Sequence, residues 1–241
     1  MVTITDMGTQ DVEERGRSYG GLSPNERRAQ RRRRLLDAAL ELFGTVGYGG
    51  TSIEQICTVS KVTTRHFYEE YQSREQLLKA IFAEVVFHVS NNVLEALAKC
   101  SDDFVEKIRA GVGAFVRTLL EDPRMGRIYC VEVVGVSQEM ELHRRSFQHL
   151  FAQVVQQQAD SIRRSPQIQY LEGLNFTYAT LALVGGSNEL ITEKLIGDCP
   201  LTVEDIIDEI SWLYITVGSI LLGFDRSVID DPKYLPRSRQ I

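Results

Sequence analysis

Four consecutive polar residues, Thr63-Thr64-Arg65-His66, stand directly before an apolar pair, Phe67 and Tyr71. Hydroxyl, guanidinium and imidazole groups all bond phosphate oxygens and base edges. Arginine can in addition grip O6 and N7 of guanine with two parallel hydrogen bonds. To do so, such a run must be held outward on a rigid element. Thr63 is an N-cap candidate, and Phe67 with Tyr71 is an i, i+4 pair on one face of the helix that Thr63 would open. The chemistry suggested is contact with nucleic acid from the first turn of a short helix, with Arg65 the best guanine-reading group.

The stretch before it supplies a partner helix. Thr51 and Glu54 have the spacing of a capping box, and Ile53, Ile56 and Val59 recur at helical spacing. Ser60, Lys61 and Val62 then make a break too short for a loop. Two short helices joined by three or four residues form the helix-turn-helix pattern, although periodicity alone fits a plain helical hairpin equally well.

The flanks shift that balance. FGTVGYGGTS at Phe43–Ser52, the block just described, and Ser73-Arg74-Glu75-Gln76-Leu77-Leu78 together resemble the N-terminal domain of the tetracycline-repressor (TetR) family of transcriptional regulators. The resemblance runs from about Arg34 to Leu78; beyond that it is one of helical layout. It implies that Thr63 and Thr64 touch DNA and that Tyr68 contacts a phosphate. It further implies that Thr51 and Arg74 are backbone anchors at helix starts, and that Tyr48 ends the first helix near the phosphates. The sequence departs from the family pattern at Lys61, where a turn glycine is usual, so a non-glycine residue is expected at positive φ at a cost of about 1–2 kcal/mol. Glu69 and Glu70 also depart, placing negative charge just after Tyr68. They either face away from a duplex or sharpen specificity by repulsion.

Composition is that of an ordinary globular chain of 241 residues, 43% hydrophobic and 25% charged. The net charge of −6 argues against a nucleic-acid partner, but its distribution argues for one. Asn25 to Arg74 holds nine Lys/Arg against six Asp/Glu, whereas Glu75 onward holds sixteen against twenty-three. That is a basic end on an acidic body. Six arginines, Arg27, Arg28, Arg31, Arg32, Arg33 and Arg34, crowd the first turns of the first helix, where they oppose the macrodipole. A polyanion would neutralise them, which makes Arg31 and Arg32 further DNA-contact candidates.

The pattern is all-α, with no strand-period runs and no repeat. Residues 1–22 read as a mobile arm, 23–78 as the DNA-binding domain, 79–229 as a helical effector-binding and dimerisation domain, and 230–241 as a frayed tail. The first helix starts at a capping box, Ser23-Pro24-Asn25-Glu26, and ends at Gly47. Later helices are expected from Ser73 to about Lys99, then over 103–120, 124–134, 138–163, 167–196 and 203–224. Their apolar stripes carry Phe82, Phe115, Tyr129, Phe147, Phe151 and Tyr178, with Arg109, Glu132, Gln148, Asn175 and Glu189 as candidate polar groups of a pocket for a small, largely apolar effector. The last two helices are apolar on more than one face and so must bury a second side. By the family resemblance they pair with their mates, giving a homodimer whose recognition helices lie about 34–36 Å apart on a palindromic operator.

Other functions find little support. No HExxH, GxSxG, P-loop or GxGxxG occurs, and His143 and His149 lie six apart on different helical faces. The sequence thus calls for no cofactor, no metal and no enzyme activity. The four cysteines are scattered and read as reduced thiols. No uninterrupted apolar run approaches the length of a membrane span, and no secretory signal opens the chain, so a cytoplasmic protein without a membrane is expected.

Overall fold

The computed structural model describes residues 23–163, 176–197, 199–222 and 235–236. The proposed arm, most of the tail and Asn175 lie outside the described residues. Among those described there are nine α-helices and no strand: α1 (Pro24–Thr45), α2 (Ile53–Ser60), α3 (Thr64–Glu70), α4 (Arg74–Lys99), α5 (Phe104–Glu121), α6 (Pro123–Arg127), α7 (Gln138–Arg163), α8 (Phe176–Ile196) and α9 (Val203–Leu222). A π-helical turn, Ile128–Glu132, follows α6 directly.

Local chemistry explains most boundaries. Ser23 and Glu26 make the expected reciprocal cap, with Pro24 in the first turn, and Gly47 leaves α1 with φ +92°. α2 corrects the expectation. Its cap is Ser52 with Gln55, not Thr51 with Glu54. T-x-x-E and S-x-x-Q are overlapping boxes that pattern cannot rank. Burial ranks them: the Thr51 side is 1% exposed and its hydroxyl donates to the Gly47 carbonyl at 2.7 Å, closing the α1–α2 loop. Thr63 caps α3 by accepting from the His66 N–H. Ser73 caps α4 by accepting from Gln76 N–H, while the Gln76 side-chain carbonyl accepts from Gln72 N–H.

The expected helix over 124–134 is interrupted. Asp122 is the N-cap of α6, and Pro123 opens it. The chain then widens into the π turn. Gly126 permits α6 to press on α5, because a Cβ there would lie 2.3 Å from the Leu119 carbonyl oxygen.

α4 is the axis of the fold. By length and composition it is apolar enough to cross a membrane, but its stripe from Leu77 through Val93 is buried in the protein. One hydrophobic core runs along it, from Leu35, Phe43, Ile56 and Phe67 at the N-terminal end to Ile206, Ile210 and Tyr214 on α9.

Lys61 ends α2 in the left-handed region, at φ 53° and ψ 39°. Lys61→Gly is expected to raise stability by up to about 1 kcal/mol, the relief of strain exceeding the extra unfolded-state freedom of glycine. Thermal denaturation should show Tm rising by about 2–4 °C; an unchanged or lower Tm would mean the turn is not strained.

Candidate nucleic-acid interface and helical body

The first turn of α3 is presented outward because its underside is locked. Phe67 is 0% exposed and Tyr71 is buried beside it, whereas Thr63, Thr64, Arg65 and Tyr68 are exposed and His66 is partly so. Arg65 reaches furthest out, with 88% of its side chain in solvent. Its Nε lies 3.3 Å from Glu69, one turn on, and Glu69 also faces His66 at 3.9 Å. At this exposure the pairs are worth at most about 1 kcal/mol each, so a base edge or phosphate can displace them. Glu69 therefore stands on the exposed face. Glu70 does not: its side chain is 1% exposed and accepts from Arg28 and Arg31.

That arrangement revises the role of the arginine cluster. Arg31 is turned to Glu70 and only 23% exposed, Arg33 pairs with Asp37 and Glu84, and Arg34 donates to the Lys61 carbonyl at 3.5 Å. Arg32 lies over the Tyr71 ring at 5.4 Å but keeps an exposed side. The cluster braces α1 against α3 and α4, using carboxylates that the sequence places far away. Arg31 is thus a structural residue here, whereas Arg32 stays exposed, as do Arg28, Arg33 and Arg34.

Three further candidates form one knot. Thr51 is buried, so its side chain is not a surface anchor. The Arg74 guanidinium donates to the Thr51 carbonyl and stacks on the Tyr48 ring at 4.3 Å. Tyr48 also meets Phe43 edge-on at 5.4 Å. Arg74 and Tyr48 clamp the α1–α2 loop onto the start of α4.

In the helical body two apolar cavities of about 100 and 60 Å³ adjoin between α5, α7, α8 and α9. They share Lys107, Ile108, Val155, Gln158 and Tyr214, and so lie side by side as two chambers of one apolar channel region. Of the expected pocket residues, Phe115 and Phe151 line it. Phe82 and Tyr129 line a separate cavity of about 210 Å³ with Gln148 and Glu189. Phe147 packs on Phe82 at 5.5 Å and lines neither. Arg109 faces Asp208 at 3.6 Å instead, and Tyr178 is 70% exposed on the outer face of α8. Sequence reading missed Lys107 and Tyr214, because which side of α5 and α9 meets α7 is a matter of packing, not periodicity. Burial pushes the Cys130 thiol up to about 12 and raises Cys57 as well, so both stay protonated. Among the described residues no group of His, Cys, Asp and Glu could hold a metal.

Residues 35–81 match the family model of the bacterial regulatory proteins, tetR family. The match covers the N-terminal segment alone, which is similar to that of TetR-family regulators. No curated protein matches the chain. Solved structures share its fold: the fatty acid degradation regulator FadR from Bacillus halodurans is 16% identical, with TM-score 0.64 over 76% of this chain and 93% of that one. FadR from Bacillus subtilis in complex with stearoyl-CoA is 16% identical, with TM-score 0.66 over 80% and 99%. AibR in complex with isovaleryl coenzyme A and operator DNA is 21% identical, with TM-score 0.58 over 81% and 100%. At these identities the likeness is one of fold.

The N-terminal segment is fastened to the body through Glu132, which corrects the assignment of this residue to a pocket. Glu132 ends the π turn, and its carboxylate accepts from Tyr48 N–H at 2.7 Å and from Arg127 at 2.7 Å. Its side chain is nearly buried, and a Cβ on Gly47 would lie 3.2 Å from the same carboxylate. Nearby, Arg124 bridges Asp122 and Glu41. Glu132→Ala leaves a donor on each side without its acceptor and is expected to cost about 1–3 kcal/mol. Glu132→Gln, which can still accept from Tyr48, should cost less. Chemical denaturation of the two variants checks this ordering; equal stabilities would mean the contact is solvated.

Proposed function

We propose that this protein is a ligand-responsive, homodimeric DNA-binding transcriptional regulator, a repressor released from a palindromic operator when a small molecule enters the helical body. The observation that carries the reading is the first turn of α3, whose reading groups face solvent while Phe67 and Tyr71 hold the helix in the core. This is a binding surface rather than a reaction centre, which favours a regulator over an all-α enzyme, acting in the cytoplasm where duplex DNA is reached. A non-specific architectural binder would rely on the arginine cluster. That reading is weakened because Arg28, Arg31 and Arg33 already face carboxylates of their own chain.

The domain plan goes with this reading: residues 23–78 bind DNA, and 79–229 dimerise and bind the effector. The channel lined by Phe115, Phe151 and Tyr214 suits a largely apolar molecule, with Lys107, paired to Asp102 at 2.8 Å, on its wall. Support also comes from the fold relatives solved with stearoyl-CoA and with isovaleryl coenzyme A plus operator DNA. An effector there touches Phe115, which meets Tyr129 on the π turn at 5.8 Å, three residues before Glu132. Binding would shift the population toward dimers whose recognition helices no longer match successive grooves.

The pairing surface is the outer face of α8 and α9. Tyr178, Ala182, Gly185 and Gly186 on α8, with Leu213 and Ile220 on α9, are exposed. Nothing lies within 4 Å of a Cβ built on Gly186. Gly186→Leu should therefore leave the subunit folded and, through helix propensity, slightly favour α8. In the dimer it should collide with the mate and raise the dimer dissociation constant at least about tenfold, a loss of about 1.4 kcal/mol. Sedimentation velocity tests it, and unaltered association would remove α8 from the interface.

The reading as a whole is tested by selecting bound sequences from random duplex DNA. A two-fold symmetric consensus is expected; binding without sequence preference, or none, would end the proposal. Arg65→Ala should relax one base pair of each half-site by about 1–3 kcal/mol. Glu69→Ala should strengthen binding to all duplexes, because it removes a like charge from the exposed face.

A further inference from the structure

The 210 Å³ cavity beside the π turn differs from the apolar channel in chemistry. Four rings divide the two. Phe115 and Phe151 line the channel, Phe82 and Tyr129 line the cavity, and Tyr129 meets Phe82 at 5.9 Å and Phe115 at 5.8 Å. Its wall holds two orphans. Tyr129 is 4% exposed, and its phenol oxygen is buried without a hydrogen-bond partner among the described residues. The Asn188 side-chain carbonyl oxygen is buried in the same state. Native proteins rarely leave such groups unmet, and each unmet one signals a water or a ligand.

The remaining wall decides which ligand. Arg144 donates twice to Glu141, at 2.9 and 2.7 Å, and this hold, with Arg145, keeps the Glu141 carboxyl down at about 2. That guanidinium is therefore held by a carboxylate, which it shares with Arg145. Glu189 lines the cavity with no ion pair among the described residues. Asn188 and Glu189 supply acceptors, Tyr129 can accept or donate, and Phe82 and Tyr129 offer ring faces that attract a cation.

We propose that this cavity is a second small-molecule site, separate from the apolar channel, and that it takes a small organic ammonium bearing an apolar group. The ammonium donates to the Asn188 carbonyl, the Tyr129 oxygen and Glu189, and the apolar part lies against Phe82. Occupancy would bear directly on the π turn, because Tyr129 and Cys130 belong to both. π turns within helices are frequent at functional sites.

The site is tested by calorimetric titration of the purified full-length protein, without DNA, with benzylamine and phenethylamine. Benzyl alcohol and phenethyl alcohol serve as uncharged shape controls. The amines should bind at least about tenfold more tightly than the alcohols, and Glu189→Gln should abolish that preference. Tyr129→Phe should weaken amine binding about tenfold yet leave the Tm of the empty protein unchanged or higher, since it removes an unmet hydroxyl. Three results would each overturn the proposal: alcohols binding as well as amines, no binding of either amine, or Tyr129→Phe leaving amine affinity intact because only water occupies the cavity. A lowered Tm for the empty Tyr129→Phe protein would also overturn it, by revealing an internal partner for the phenol. Binding is read without DNA, so none of these outcomes bears on the regulator reading.

Discussion

The burial of Phe67 orients everything that α3 shows to solvent. A phenylalanine with no exposed surface contributes about 1.5–3 kcal/mol of transfer free energy and, on a seven-residue helix, leaves little rotational freedom. α3 is too short to be stable alone, so its geometry comes from this anchor, from Tyr71 beneath, and from the Thr63 cap. Once Phe67 points inward, the 100° step of the helix turns Arg65 and Tyr68 away from the core, while Thr64 is exposed at the first position of the helix. The left-handed Lys61 sets the angle at which α3 leaves α2.

Charge is arranged around that anchor in two layers. Glu70, nearly sealed from solvent, gathers Arg28 and Arg31 and so binds α1 to α3. Breaking such a pair on one side leaves an uncompensated charge, which is why the arrangement specifies geometry more than it adds stability. Glu69 and Arg65, in the outer layer, are solvated and exchangeable. The two adjacent glutamates thus have opposite surroundings, one sealed in an ion-pair knot and one on the exposed face.

The N-terminal helices share the apolar core along α4 with the body, and polar contacts add to it. Two of these are the Glu132 carboxylate on Tyr48 N–H and the Arg124 bridge to Glu41, both near the C-terminal end of α1. Behind Glu132 lies the π turn, whose ring Tyr129 touches walls of both the channel and the polar cavity. A change in either space reaches Tyr48 within a few contacts. Tyr48 carries Arg74 on its ring, and with it the first turn of α4.

Sequence alone determined what depends on near neighbours. Helix periods, the Ser23 and Thr63 caps, the strained Lys61 and the polar first turn of α3 rest on hydrogen bonds and side-chain spacings within four residues, and all are visible in the chain. The choice between Thr51 and Ser52 as cap was not, because both satisfy the same local rule and only burial separates them. The partners of Arg31 and Glu132 were not either: Arg31 meets Glu70 39 residues away, and Glu132 meets Tyr48 84 residues away. Tertiary structure decided these, together with the division of one expected pocket into an apolar channel and a polar cavity. Such contacts depend on which faces of separate helices come together, and no short-range pattern encodes that.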